Sequence, residues 1–451
     1  MGWLLTEPIA LGQTLKGIFV TPLPSPPLAH EQDRKLRVLY DLSVMGAARV
    51  TNKSRTGVFR VVEQVAKYLL GRQDIDVAWT AYGNINHLDD VIEIARSDPE
   101  FHRDVISMPF ARHTVETLSK PIRYLAATHA YPLVRPALPL IERLRNQTTF
   151  NSKLANGFDI LHSPFNALPD LPPQRSLTRF LTVYDLIAIK FPQFFEPDAC
   201  ERFQHTINAI RSEDWVLCIS EWTRNDLLNY RPDLDPEQVR VTPLAAANNF
   251  SRCHDAEQIE ATKLALGIPQ QARYFLSVST LEPRKNLRHL VSVFQQVHRE
   301  LDDQTYLVLV GTKGWHIEEF LNDIAADTLG KIIVTGYVDD AQLAPLYSGA
   351  MAFVYPSLYE GFGLPPLEAM QCGTPVITSD NSSLPEVVGD AGILVPAEST
   401  ESLANALIQL FHDADLRDRL SEKGIARAEK FTWQRCGELT VQAYKDAINN
   451  R

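Results

Sequence analysis

Apolar runs of five to seven residues alternate with amphipathic stretches of ten or more along almost the whole chain, and this alternation narrows the fold more than any other feature. Leu36-Arg37-Val38-Leu39-Tyr40 is the first such run, with the β-branched and aromatic content of a buried strand. Further strand candidates lie at 75–80, 158–162, 178–184, 214–219 and 238–242, separated by helical patterns such as 57–70, 200–211 and 221–229. Parallel neighbours need a long crossover, usually a helix, so the alternation predicts parallel sheets covered by helices. After a polar helical stretch at 251–270 the pattern restarts with Tyr274-Phe275-Leu276-Ser277-Val278 and continues at 305–310, 331–334, 351–354 and 375–378. Two series in succession predict an α/β chain of two doubly wound, Rossmann-like domains facing across a cleft. Ligands in such sheets bind beyond the carboxyl ends of the strands.

The expected division is an irregular extension over 1–34, which carries Pro8, Pro22, Pro24, Pro26 and Pro27, then domains at 35–255 and 256–432. A last helix near 433–449 either finishes the second domain or crosses back onto the first; periodicity leaves both open.

Bulk properties remove several function classes. The five cysteines (Cys200, Cys218, Cys253, Cys372, Cys436) form no C-x-x-C pair, which argues against a zinc cluster and a disulfide framework. The net charge is −11; residues 1–250 hold 27 Lys and Arg against 28 Asp and Glu, and the remainder 17 against 27. A basic nucleic-acid footprint is therefore absent, and any phosphate must be bound by a local site. No apolar run approaches the ~18 residues of a membrane span, and no signal peptide is evident, so a cytoplasmic location is expected. Met1-Gly2-Trp3-Leu4-Leu5-Thr6 fits the short myristoylation pattern, which also arises by chance. Between Arg103 and Arg145 seven cations interleave with apolar residues, a surface suited either to an anionic membrane or simply to water.

The most informative stretch runs from Tyr355 to Met370 and follows the strand at 351–354. Gly361 and Gly363 allow a sharp turn with close backbone approach to a ligand. Pro365 or Pro366 suits the first helical position and Gly373 the residue past the helix end. This predicts Glu360 in the loop and Glu368 on a short helix. Each carboxylate can accept two hydrogen bonds from vicinal hydroxyls, as a ribose or hexose presents them. Backbone amides at that helix start can hold a hydroxyl or an anion. Two solvated glutamates on a surface loop are the plainer alternative.

Ser279-Thr280-Leu281-Glu282-Pro283-Arg284-Lys285-Asn286 follows the strand 274–278. Arg284 and Lys285 there would add to the positive end of the next helix, a combination that fits a diphosphate. In the first domain, Gly57 opens a helix and offers amides to a phosphate from across the cleft. Asp185, Tyr184 and His162 sit at strand ends, where a polar side chain either faces the cleft or, more commonly, caps the strand structurally. Gly336-Tyr337-Val338-Asp339 follows 331–334, and its backbone and the Tyr337 ring suit a nucleobase, though ordinary turn chemistry explains it equally.

Taken together these residues resemble the family 4 retaining glycosyltransferases of GT-B fold, especially the branch of bacterial mannosyltransferases of surface polysaccharides. The likeness runs from about 36 to 449. It rests on Glu360 and Glu368 within EGFGLPPLEAM, then GTPVITS and LPEVVGDAGILV, on LEPRKNL at 281–287, and more loosely on RTGVFRVVEQVA, TVYDL and ISEWTRNDL. The resemblance implies that Glu360 contacts the donor sugar, Glu368 holds the ribose hydroxyls and Lys285 contacts the diphosphate, with Arg284 and Asp185 beside the reacting centre. It implies that the amides around Gly361, Phe362, Gly363 and Leu364 meet sugar or phosphate and that Gly57 meets phosphate. The terminal helix would cross back to the first domain. The donor implied is a nucleotide diphosphate sugar, GDP-mannose first. The acceptor is a saccharide or lipid-linked saccharide, with no metal or other cofactor and with peripheral contact at the inner membrane face.

Two positions depart from the pattern. Many relatives have His where this chain has Tyr184, and Arg where it has Thr280. A nucleotide-sugar epimerase or a phosphorylase of the same fold, and a binding module without turnover, are the competing readings.

Overall fold

The computed structural model describes residues 34–51, 57–82, 88–106, 154–171, 177–312 and 330–451. Leu36–Arg451 forms one compact unit. It holds two parallel sheets, which we call the N lobe and the C lobe.

The N-lobe strands are β1 (Leu36–Asp41), β2 (Ile75–Thr80), β3 (Ile160–Ser163), β4 (Thr178–Val183), β5 (Trp215–Cys218) and β6 (Val239–Val241), in the order β2-β1-β3-β4-β5-β6. The C-lobe strands are β7 (Arg273–Val278), β8 (Thr305–Val310), β9 (Ile332–Gly336), β10 (Ala352–Tyr355), β11 (Val376–Ser379) and β12 (Gly392–Val395), in the order β12-β11-β10-β7-β8-β9. Both sheets are parallel throughout, with Phe353 of β10 facing Leu276 of β7. Strand order in the second sheet reverses between β7 and β10, so their carboxyl ends flank a crevice where a ligand fits.

Strands buried on both faces need near-continuous apolar sequence, and β5, β8 and β10 have it. The helices that matter for the site are α1 (Gly57–Leu70), α2 (Glu221–Tyr230), α3 (Leu287–Val297), α4 (Asp340–Ser348), α5 (Leu364–Gln371) and α6 (Trp433–Asn449). In α3 Leu290, Val291, Val293, Phe294 and Val297 are buried, the stripe that a sheet-covering helix presents.

α6 lies on the N lobe. Tyr444 packs edge-on against Phe180 of β4, and a Cβ on Gly437 would stand 2.2 Å from the Tyr68 ring of α1. One apolar cluster runs from β1 and α1 through Leu244 and Phe250 into Tyr347, Phe353 and Phe362 of the C lobe.

Among the described residues no helix is long and apolar enough to cross a membrane. The extension before residue 34 and nearly all of the basic 103–145 stretch lie outside the described residues.

Candidate functional site

Lys285 ends a short 3-10 turn, Pro283–Lys285, just past β7; Asn286, in the left-handed conformation at φ 58°, then redirects the chain into α3. Glu360 sits past the end of β10. The two therefore come from opposite walls of the β7/β10 crevice, and they meet there: Lys285 Nζ donates to Glu360 Oε1 at 2.7 Å and to Tyr355 OH at 2.7 Å. Arg284 Nη1 stands 2.9 Å from the same glutamate oxygen, and Ser357 Oγ donates to it at 2.6 Å. Arg284 is held in turn by Glu282 and by the Tyr359 carbonyl. Lys285, Glu360 and Glu368 are only 8%, 8% and 7% exposed.

The electrostatics follow from that geometry. Burial pushes the Glu360 carboxyl up, but the Arg284 and Lys285 charges outweigh it and hold the group at about 2. Burial and the adjacent Arg284 push the Lys285 ammonium down, while Glu360 and Glu282 resist. Glu368 has less help. Burial carries it up to about 7 against the pull of Arg60.

The turn between the glutamates is fixed from both sides. Glu360 N donates to Ser382 Oγ at 3.0 Å, and Ser383 Oγ donates to the Phe362 carbonyl at 2.6 Å. From the N lobe, Ser220 Oγ donates to the Gly361 carbonyl at 2.7 Å. A Cβ on Gly361 would lie 2.2 Å from the Tyr184 carbonyl oxygen and 2.8 Å from Asp185 Cβ, so glycine is what lets the lobes touch here. Gly363 has φ 124° and leads into α5, whose first residue, Leu364, would be 3.1 Å from a Cβ on Gly57. The Phe362 side chain turns away from this centre toward Phe431. It lines a separate crevice of about 770 Å³ with Glu221, Glu386 and Arg427.

Asp185 lies close enough to Arg284, Lys285 and Glu360 to sense their charges, and it accepts from Ile187 N at 2.9 Å. Burial raises its carboxyl above the ordinary value. Val338 is buried in the core, whereas the Tyr337 ring is 59% exposed.

At two of the strand ends the structural role is the one found. His162 does not face the cleft: its Nδ1 lies 2.5 Å from Tyr444 OH and its Nε2 2.8 Å from Thr182 Oγ1. Burial holds its ring neutral, with the pKa lowered to about 3. Tyr184 is half-buried against the core, its ring near the exposed Phe165; its hydroxyl is buried with no hydrogen-bond partner among the described residues, and its carbonyl is what approaches Gly361 of the C lobe.

Several contacts across the cleft went unmarked in the sequence. Arg60 of α1 reaches Glu368 Oε1 at 3.0 Å and Asp340 at 2.7 Å. Glu386 accepts from Glu221 N and Trp222 N, the first amides of α2, at 2.8 and 2.6 Å. Asp226 of α2 accepts from the Tyr359 hydroxyl and from Lys190. Only Arg60 had a signal, since it lies three residues after Gly57 in RTGVFRVV. Among the described residues no three His, Cys, Asp or Glu side chains are grouped to hold a metal ion.

Comparison with known proteins adds a lineage to this geometry. Residues 258–427 match the family described as glycosyl transferases group 1. The O-antigen chain mannosyltransferase B of Escherichia coli is 33% identical over 291 residues, 63% of this chain and 74% of its own length. A serotype-specific mannosyltransferase, WbdA, also from Escherichia coli, is 28% identical over 55% of this chain, which spans only 31% of that longer protein. Among solved structures, Anabaena HepE, crystallised with UDP and glucose, superimposes with TM-score 0.60 at 14% identity, covering 91% of this chain and 100% of its own. That last likeness is one of GT-B fold.

Proposed function

Because this chain belongs to the group 1 glycosyl transferases, we propose that it transfers mannose from GDP-mannose to a hydroxyl of a growing surface polysaccharide or lipid-linked saccharide, with retention at the anomeric carbon. The observation that carries the reading is the convergence of Lys285 and Arg284 on Glu360 in the β7/β10 crevice, eight residues before the buried Glu368. The mannosyl donor and polysaccharide acceptor rest on the relative named O-antigen chain mannosyltransferase B.

In the proposed reaction the bond between the anomeric carbon and the β-phosphate oxygen breaks. The acceptor oxygen bonds to that carbon from the same face, and its proton passes to the departing phosphate. Lys285 and Arg284, already held at the crevice, neutralise the charge that builds on the diphosphate, the preorganised electrostatic role that lowers such barriers. Glu360 orients the donor sugar and Glu368 the ribose hydroxyls, while the amides from Gly361 to Leu364, with Gly57 opposite, meet sugar and phosphate. Tyr337 and Val338 border the base, and Asp185 lies beside the reacting centre. The contact between the lobes at Gly361 supports a closed state that excludes water, whose attack would waste the donor. No metal enters this step. The enzyme would work in the cytoplasm or at the inner membrane face.

The test is an incubation with GDP-mannose, GDP-fucose and UDP-linked sugars, with and without a mannosyl-terminated saccharide. Acceptor-dependent release of GDP and an axial new linkage by NMR are expected. Release of free sugar and nucleotide at the same rate without acceptor would instead favour an epimerase.

A further inference from the structure

Helices α1 and α5 lie side by side although they belong to different lobes. Gly57 abuts Leu364, and one turn further along, Arg60 abuts Glu368, so the i, i+3 face of one helix meets the i, i+4 face of the other. Arg60 uses both ends of its guanidinium there, one nitrogen on Glu368 at 3.0 Å and one on Asp340 at 2.7 Å, and it is only 17% exposed. A cation so placed is not a solvated surface charge.

We infer that Arg60 is a positioning residue of the nucleotide site, reaching from the N lobe to keep the Glu368 carboxylate charged and aimed at the ribose diol. This rests on the reading of Glu368 given above.

A carboxylate offers about four lone-pair sites. Arg60 occupies one on Oε1, and the Tyr347 hydroxyl, 3.3 Å away, occupies one on Oε2. Two sites remain, the number a pair of vicinal hydroxyls requires. Arg60 therefore need not leave when nucleotide enters, and the ribose is read jointly by both lobes.

The second consequence is ionic. The groups facing Glu368 are Arg60 from α1, Asp340 and Tyr347 from α4, and Cys372 just past α5. Burial is the largest influence and favours the protonated acid, Asp340 adds to it, and Arg60 is the cation that opposes them. A protonated Glu368 spends an oxygen as a donor and loses charge-assisted acceptance, so nucleotide binding weakens as pH falls through about 7.

The experiment is calorimetric titration of GDP and UDP into the full chain between about pH 6 and 9, comparing wild type with Arg60→Gln, Arg60→Lys and Asp340→Asn. Arg60→Gln should bind about tenfold more weakly at neutral pH, with the midpoint of the pH dependence raised by about one unit and the loss shrinking at alkaline pH. Arg60→Lys should keep the midpoint near wild type with intermediate affinity, since a point charge cannot bridge two carboxylates. Asp340→Asn should lower the midpoint; because Asp340 is half-exposed, this variant tests the idea even if Arg60→Gln folds poorly. An Arg60→Gln titration that overlays wild type at every pH overturns the inference. So does a loss equal at all pH values that lysine does not rescue. Wild type binding neither nucleotide at any pH would bring down the nucleotide reading itself, a different failure.

Discussion

Lys285 Nζ stands 2.7 Å from Glu360 Oε1, and that one glutamate oxygen also faces Arg284 at 2.9 Å. Glu360 thus faces two buried cations, of which Arg284 also has Glu282 while Lys285 pairs with Glu360, and this makes the pair unequal under mutation. Removing one partner of a buried ion pair costs about 3–5 kcal/mol, because the other is left uncompensated. Glu360→Ala should show that full loss in urea melts, and Lys285→Ala clearly less, since Arg284 still faces the glutamate. In a transfer assay the order reverses for kcat. Lys285→Ala should lose about a hundredfold or more, as preorganised donors do when removed, at a KM that changes little.

The turn at Gly361 tolerates no side chain. Gly361→Ala should cost activity severely and lower the melting temperature, because the clash is with backbone. Gly57→Ala meets only Leu364 Cδ1 at 3.1 Å, the end of a flexible side chain, and should be milder in both measurements. Equal effects would mean that the lobes do not close on Gly361.

Glu368 makes stability fall with rising pH. Its folded-state value of about 7 lies above the ordinary 4.5, so the folded chain holds the extra proton between these values and loses that advantage as pH rises through the window. Glu368→Gln removes the term. Relative to wild type, this variant should be more stable at pH 8 than at pH 5, by on the order of a few kcal/mol in denaturant titrations at the two pH values.

Glu386 fastens α2 of the N lobe to the C lobe through two backbone amides. Glu386→Ala leaves those amides to water, and the loss of a helix cap of this kind costs about 1 kcal/mol. The expected readout is a larger radius of gyration in solution scattering without nucleotide. An unchanged radius would show that Ser220 and Asp226 hold the lobes together by themselves.

How much of this was legible beforehand depended on the range of the interaction involved. The helix at 57–70 and the strand at 305–310 were delimited to the residue, because local periodicity and flanking turns decide them. β12 was not foreseen. Gly392-Ile393-Leu394-Val395 is short, opens on glycine, and becomes a strand only by pairing with β11. Glu360, Lys285 and the glycines between the glutamates were marked by sequence spacing at strand ends. The direction of His162 was not, since α6 fixes it through Tyr444, 282 positions away. Arg60 stood in a marked segment, three residues after Gly57, but its partner lies 308 positions along the chain, so its role was not legible.

The placement of α6 has a consequence for biosynthesis. A ribosome delivers the N lobe first, yet Tyr444, which caps His162 and covers Phe180, emerges only after the whole C lobe has been made. Until then a nascent chain carries an apolar trough beside β3 and β4, with an imidazole at its floor that has Thr182 on Nε2 and lacks its second partner on Nδ1. The lobe begun earliest is therefore completed latest, and during that interval a chaperone has something to hold.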